Sequence, residues 1–464
     1  MHEDKESIRV FNRKLAYCDT FLQAKTLLVF FSLSLIFSVY DLFSPTLTFI
    51  LLDSILAIYL TSLFRGKYKY LFLIHPIFLL LSSYGFEVPF ADIGVGRTYI
   101  TTFSILVEPD LHGLSSIYEY CAIMDSIFGF CLVYWGILPI IWLPNFLYGH
   151  SSEMTLYYSM GLFNMLYVAI AVYVSQFFRI LNKKTLLIIV LFATVSPTFF
   201  EINSTLHRYG LLFLGLFLFL LSYIGLIKQK KSIFNNILLA FILFLSIIFI
   251  GYSKPQLFFV LFLFVFLDQV ASNRAPILSR IYDSYDKRVL LCLLIFGIQA
   301  TAFLVLPSSY TTVSSEMLDV SYANTNSIID IPLIGFLMRL IYAILSPFPW
   351  INFTQLSIYG GNPLFLIVHI FSSFFAAWII ISTIFRFDLI LKSSDTNKTI
   401  IIFGLSIAIS LMFSAVAFNV YLAPALPFLA IVLLKKSYRV SIMYPIGFIL
   451  FMEIIAHIAR FIRL

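Results

Sequence analysis

Residues 210–227 read GLLFLGLFLFLLSYIGLI, a run without a charged side chain. A helix that crosses a bilayer needs about 20 mostly apolar residues, so this run predicts a membrane-spanning helix. Similar runs recur along the chain, and short groups of lysine and arginine separate them. The sequence therefore predicts an all-α, polytopic integral membrane protein, with residues 1–464 forming a single membrane domain.

The composition of the chain indicates the same class of protein. Of its 464 residues, 61% are hydrophobic and 11% are charged, whereas about 25% are charged in an ordinary soluble domain. Such a chain cannot cover itself with a polar surface, which argues against soluble enzymes and nucleic-acid-binding proteins. The four cysteines lack metal-ligand spacing, and we find no nucleotide-binding or nucleophile-elbow motif. We therefore expect no metal site, no cofactor and no nucleic-acid partner.

The basic residues predict the orientation of the helices. Most of the 30 lysines and arginines fall into seven clusters between the apolar runs, and the positive-inside rule assigns these clusters to the cytoplasm. Each interval between clusters then contains an out-and-back pair of helices. The clusters are the N-terminal tail (Lys5, Arg9, Arg13, Lys14, Lys25), Arg65/Lys67/Lys69, Arg179/Lys183/Lys184, Lys228/Lys230/Lys231, Arg274/Arg280/Lys287/Arg288, Arg386/Lys392/Lys398 and Lys435/Lys436/Arg439.

This arrangement predicts 12–13 transmembrane helices. The thirteenth, 441–459, leaves Arg460 and Arg463 outside, so an amphipathic helix on the membrane surface is the alternative there. The first twelve predicted spans are 26–41, 45–64, 70–86, 157–178, 185–200, 210–227, 235–252, 256–270, 289–307, 363–384, 399–416 and 420–434.

One further apolar stretch, residues 126–148, does not fit the count of paired crossings. It contains Pro139 and Pro144, which interrupt the backbone hydrogen bonds of a helix. We therefore predict a helix that is broken at these prolines, in a re-entrant or membrane-lying segment. Non-helical backbone at membrane depth requires burial in protein or contact with a wet cavity.

Two predicted outer segments are long, at 86–156 and 308–362, and most of the charge outside the cytoplasm lies in loops. This distribution favours binding or chemistry at the outer membrane surface. A cation beside hydrocarbon is costly unless it is paired or reaches water, and arginine suits phosphate because its planar fork donates two hydrogen bonds. The candidate anion-binding residues are Arg97, Arg208, Lys254 and Arg339. Each of them could instead pair with a structural carboxylate or extend to the interface.

Acidic and aromatic side chains near these cations are candidates for catalysis and sugar binding. Glu201 and His207 flank the turn before Arg208, and Asp110 lies in the first long loop; each can act as a general base. Capping, salt bridges and solvated loop charge are the alternatives. Trp350 and Tyr359 in the second long loop can stack on sugar rings or belong to the interfacial aromatic belt.

Three short motifs resemble bacterial O-antigen and capsule repeat-unit polymerases of the Wzy type. They are His207-Arg208-Tyr-Gly before the apolar run 210–227, Ser346-Pro-Phe-Pro-Trp350 at the end of the second long loop, and Tyr421-Leu-Ala-Pro424-Ala-Leu-Pro427. The resemblance implies about a dozen membrane helices and two large periplasmic loops in the bacterial inner membrane. It also implies an enzyme of lipopolysaccharide or polysaccharide biosynthesis, a glycosyltransferase that moves a growing glycan from undecaprenyl diphosphate to a new lipid-linked repeat unit. A chain-length regulator protein is an implied partner.

Two other functions remain open. A related lipid-linked glycan transferase or ligase would use the same lipid but transfer one sugar or one finished chain. A transporter of lipid-linked oligosaccharides would need charges within its spans, and Asp53, Asp268 and Glu453 are candidates for that role. Long outer loops argue against the transporter.

Overall fold

The computed structural model describes residues 29, 32, 44–83, 138–148, 153–203, 209–229, 232–253, 257–272, 344–345, 363–392, 395–411 and 422–463. Every regular element within these residues is a helix. The helices are α1 (Pro45–Leu63), α2 (Ile74–Ser83), α3 (Leu138–Tyr148), α4 (Glu153–Phe177), α5 (Lys183–Thr194), α6 (Pro197–Asn203), α7 (Tyr209–Tyr223), α8 (Ile233–Ser253), α9 (Phe258–Ala271), α10 (Pro363–Phe385), α11 (Phe387–Leu391), α12 (Asp395–Leu411), α13 (Leu426–Leu429) and α14 (Met443–Arg463).

Six helical segments are long and apolar enough to cross a membrane, which is the character of a multi-pass membrane protein. They are Pro45–Leu63, Thr155–Phe177, Lys183–Phe200, Tyr209–Ile227, Ile233–Gly251 and Ile367–Phe385. Each overlaps a span predicted from the sequence. The predicted span 289–307 lies outside the described residues, as do 26–41 apart from two positions and most of the two long loops.

Helix α7 forms the centre of the described core, and α8 lies at its edge. Every residue of α7 is buried, between α4 on one side and α8 on the other. In contrast, Phe234, Phe241 and Phe244 of α8 are exposed, and only 17% of the residues in its most apolar stretch are buried. A surface of this kind suits lipid rather than water.

Local sequence explains the turn between α1 and α2. Ser44 caps α1 by accepting a hydrogen bond from the backbone N–H of Leu47. Gly66, with φ of 96°, lets the chain reverse after α1. A 3-10 helix, Lys67–Leu73, then leads into α2, and the Thr61 hydroxyl donates to the carbonyl of Lys69 at 3.2 Å. The predicted span 70–86 therefore begins as a 3-10 helix and becomes α-helical only at Ile74.

Helix α3 continues through Pro144, so the break predicted at this proline is wrong. A proline at this position leaves the carbonyl of Ile140, four residues earlier, without its helical donor. The hydroxyl of Ser159 on α4 donates to that carbonyl instead. Residues 126–137 lie outside the described residues, and the predicted non-crossing path of 126–148 stays a prediction.

The predicted span 420–434 differs in geometry from a regular α-helix. Its described part begins with turns at 422–425, continues as the four-residue α13 and ends as a 3-10 helix, Ala430–Leu434. Pro424 and Pro427 remove two backbone donors in this short segment. Its residues from Leu422 to Val432 are buried, so the segment packs within the protein.

Helix α14 is connected to α10 by hydrogen bonds just before it begins. The Trp378 indole N–H donates to the carbonyl of Val440 at 3.0 Å, and the backbone N–H of Val440 donates to Ser382 Oγ at 3.2 Å. Leu450, Phe451 and other apolar side chains of α14 are exposed. Both predicted arrangements of this helix, crossing or surface-lying, remain predictions.

Candidate functional site

Most residues predicted for the functional site lie outside the described residues. Glu201 is the exception, since its backbone belongs to α6. The others are Arg97, Asp110, His207, Arg208, Lys254, Arg339, Trp350 and Tyr359. The geometry of the site therefore begins with α6, the short helix that leads into the Glu201–Arg208 turn.

Helix α6 starts at a defined break in the predicted span 185–200. Ser196 precedes Pro197, and a residue before proline is biased away from the helical conformation. The Ser196 hydroxyl donates to the carbonyl of Phe192 at 2.7 Å and accepts from the backbone N–H of Phe199 at 3.3 Å. It thus links the end of α5 to the first turn of α6, where proline needs no N–H donor.

Helix α6 is held by buried contacts with α10, α2 and α7. The Thr198 hydroxyl on α6 lies 2.7 Å from the Ser372 hydroxyl on α10, and both side chains are buried. Phe200 stacks on Phe78 of α2, with ring centroids 3.9 Å apart. Phe199 packs edge-on against Phe213 of α7 at 6.0 Å. Since Glu201 directly follows Phe200, these contacts fix the point from which the predicted catalytic turn begins.

A carboxyl group and an imidazole form a buried pair close to α6. His75 Nδ1 on α2 is 2.9 Å from Asp53 Oδ2 on α1, and the exposed fractions of the two side chains are 1% and 0%. Asp53 is near the middle of α1, so the pair lies well inside the apolar part of the protein. Within the described part of the chain no donor reaches Asp53 Oδ1. A charged group at this depth is costly unless it is paired, which makes the pair a candidate functional element.

The pair is adjacent to α6. The His75 ring is 6.2 Å from the ring of Phe200, and Phe78 lies on the same face of α2 because it follows His75 by three positions. Phe78, Phe200 and Val368 form a small buried cluster. The arrangement can orient α6 through aromatic contacts, while the buried pair itself is closed to a solute.

A second histidine connects α10 to the end of the second long loop. His369 is buried, and its Nε2 donates to the carbonyl oxygen of Leu345 at 3.3 Å. Leu345 directly precedes the Ser346–Trp350 motif. The contact shows that the chain just before this motif lies against the first turns of α10, which also contact α6.

Another buried carboxylate, Asp268, lies in a separate network. The hydroxyls of Tyr223 on α7 and Thr399 on α12 each donate to it at 2.8 Å. The three residues are near helix ends that lead towards predicted cytoplasmic clusters, and Lys398 donates to the carbonyl of Ala271 at 3.0 Å. The network joins α7, α9 and α12, and its carboxylate has two hydroxyl donors.

Neither His75 nor His369 was among the site residues predicted from the sequence. Each histidine occurs alone in an apolar run, and each makes its described contact with a residue more than twenty positions away. Asp53 was a candidate only as a transporter residue. An ionisable residue inside an apolar run was the available signal, and pairing Asp53 with His75 required the helix packing.

No group of three or more His, Cys, Asp and Glu side chains in the described ranges is placed to hold a metal ion. Comparison of the whole chain with protein-family models, with curated proteins and with solved structures finds no match. The site is therefore defined by its own residues: the α6 contacts, the Asp53–His75 pair and the His369–Leu345 contact.

Proposed function

We propose that this chain polymerises undecaprenyl-diphosphate-linked oligosaccharide repeat units at the periplasmic face of a bacterial inner membrane. The observation that carries the proposal is the position of α6. This helix carries Glu201 and lies against α2 and α10, the helices next to the two long loops assigned to the outer side. Helix α2 leads into the first long loop, α6 leads into the Glu201–Arg208 turn, and the second long loop leads into α10, so the helices that adjoin these segments contact one another.

The proposed reaction is a glycosyl transfer. The bond between the anomeric carbon of the growing glycan and its phosphate oxygen breaks, and the electron pair leaves with the undecaprenyl diphosphate. A hydroxyl oxygen of the new repeat unit bonds to that carbon, and its proton passes to a base. Glu201, His207 and Asp110 are the candidates for this base. Cleavage of the glycosyl–phosphate bond drives the transfer, so no nucleotide or other cofactor is needed.

Outer cations would bind the diphosphate and stabilise its developing charge. Arg208 and Arg339 are the first candidates because a guanidinium can donate two parallel hydrogen bonds to phosphate oxygens. Arg97 and Lys254 would bind the same anion or an acidic glycan. Trp350 and Tyr359 would stack on the sugars. A chain-length regulator is the expected protein partner, and membrane lipid surrounds the complex.

Substitution of the outer arginines tests this proposal. In a host strain that lacks the gene, Arg208→Ala and Arg339→Ala should reach the membrane at normal levels and yield single repeat units instead of long chains on a gel. The expected loss of binding or rate is roughly 10²–10³-fold, and lysine should restore only part of it. Arg65→Ala and Arg386→Ala, in predicted cytoplasmic clusters, are the matched controls. Full-length glycan from both outer variants at normal abundance would contradict the proposal.

The buried Asp53–His75 pair favours a second candidate, an ion-coupled transporter of lipid-linked oligosaccharides. Ionisable residues within spans often mark proton relays in transporters. For this candidate Asp53→Asn should stop transport, and substituting the outer arginines should have little effect on it. A lipid-linked glycan ligase or single-sugar transferase shares the outer-arginine requirement but releases one product length instead of a ladder.

A further inference from the structure

The geometry points to Asp53 and His75 as positioning residues for the glycosyl-transfer site, acting through α6; this inference rests on the proposed function. Neither residue touches a substrate, because both are buried. Their role is to fix the register of α2 against α1. That register determines where His75 and Phe78 meet Phe200, the residue directly before Glu201.

The buried contact between Asp53 and His75 sets the register of α2 against α1. Apolar residues of both helices, including Phe49, Leu52 and Leu79, are buried in the same core as the pair. Apolar side chains pack acceptably in more than one register, whereas a buried polar side chain favours the register that brings it to its hydrogen-bonding partner. The 2.9 Å contact between His75 Nδ1 and Asp53 Oδ2 therefore selects one alignment of α2 along α1.

The face of α2 aligned in this way contacts α6. Phe78 stacks on Phe200 at 3.9 Å, and the His75 ring lies 6.2 Å from the same Phe200 ring. A shift of α2 by one residue moves both rings relative to Phe200. Misplacing a reacting group by about 1 Å can lower the rate about 10²-fold. The pair can thus control transfer without contacting the reacting atoms.

Replacing both residues by leucine distinguishes a positioning role from general stabilisation. Replacing both members of a buried ion pair by apolar residues often leaves a protein as stable as before. A merely structural pair would therefore be replaced by two leucines without loss of function. A register-setting pair would not, because two leucines do not select one alignment.

The yield of a disulfide cross-link between α6 and α10 measures the position of α6 independently of glycosyl-transfer activity. The hydroxyls of Thr198 and Ser372 are 2.7 Å apart, so cysteines at these positions are close enough to report the contact as a disulfide. The parent protein carries Thr198→Cys and Ser372→Cys and has its four native cysteines replaced by serine. The disulfide-linked peptide is quantified by mass spectrometry after oxidation of native membranes, alongside the glycan ladder.

The Asp53→Leu/His75→Leu double variant should reach the membrane at the parent level, form several-fold less cross-link and make about 10²-fold less long-chain glycan. Asp53→Asn keeps an acceptor for His75 and should be intermediate in both measurements. Asp268→Asn is the matched control, a buried acid in a different network, and should cross-link like the parent. Parent-level cross-link and glycan in the double-leucine variant would overturn the inference.

The test also covers a double variant that is not inserted and a parent that makes no glycan. If the double variant is not inserted, Asp53→Asn is compared with Asp268→Asn, and equal cross-linking in the two would overturn the inference. If the parent makes no glycan in any host while the cross-link still depends on Asp53, the proposed function fails and the positioning of α6 by the pair stands.

Discussion

His75 and Asp53 join two neighbouring helices through one buried hydrogen bond, with His75 Nδ1 of α2 lying 2.9 Å from Asp53 Oδ2 of α1. Both side chains are removed from solvent. Breaking such a pair from one side leaves the other polar group buried without its partner, which is more costly than removing both. The pair therefore predicts a larger loss of stability in a single variant than in the double variant.

Asp53→Leu alone should lower the free energy of unfolding by about 3–5 kcal/mol, because it leaves His75 buried without its carboxylate. The double variant with His75→Leu should recover most of that loss. Unfolding of the purified protein in mixed micelles, followed by tryptophan fluorescence, measures both. Equal stability of Asp53→Leu and the native chain would show that the pair contributes nothing.

Gly215 of α7 permits a close approach to α8, and Gly215→Ala should be destabilising. An added Cβ would lie 3.1 Å from the backbone nitrogen of Ile250 and 3.1 Å from Cβ of Phe249, and a backbone atom cannot move aside easily. The expected loss is about 1–3 kcal/mol. Gly447→Ala in α14 is the control, since among the described residues no atom outside its own helical backbone lies within 4 Å of its added Cβ. A loss of similar size in both variants would refute this explanation.

The Asp268 network should contribute to stability and not to transfer. Tyr223→Phe and Thr399→Val each remove one 2.8 Å hydrogen bond to the carboxylate, at a cost of about 1 kcal/mol each. Glycan ladders from both variants should match the native chain once membrane levels are equal. Loss of the ladder at normal abundance would instead assign this network a part in function.

The sequence alone predicts the class of fold, and it predicts α7 and α8 equally well because both are apolar runs. It does not predict that α7 is buried throughout while α8 is largely exposed, since lipid and protein interior select the same side chains. The position of Asp53 opposite His75 depends on packing between α1 and α2, and no local pattern encodes it. Pro144 illustrates the same limit, because Ser159 on α4 satisfies the carbonyl that the proline leaves without a donor.

The candidate site is predictable only in part for the same reason. Glu201 is predictable as a candidate because it is an acid in a polar turn. The break before α6 is predictable from Ser196 and Pro197. The contacts that hold α6, from Phe78 and Ser372, come from helices distant in the sequence. Several residues with apolar or hydroxyl side chains could have made such contacts equally well.

The predicted topology can be tested with single cysteines in a cysteine-free background. Ser115→Cys and Val320→Cys lie in the long loops 86–156 and 308–362, which the basic clusters assign to the outer side. Both should react with a membrane-impermeant maleimide in spheroplasts. Reaction of either one only after the inner membrane is permeabilised would contradict the assignment.

A cysteine after the stretch 126–148 tests its predicted re-entrant or membrane-lying path. Ser152→Cys should react from the same side as Ser115→Cys, because the paired crossings leave no room for another span. Opposite sides would show that the stretch crosses the membrane once. The helices before Arg179 would then need a different assignment.

The most direct measurement for the proposed function is elongation by the purified protein. The chain is reconstituted into liposomes that contain undecaprenyl-diphosphate-linked repeat units extracted from a host strain that lacks the gene. The proposal predicts a ladder of chain lengths without added nucleotide, and its loss with Arg208→Ala. Repeat units that stay single, or that cross the bilayer without being joined, would contradict it.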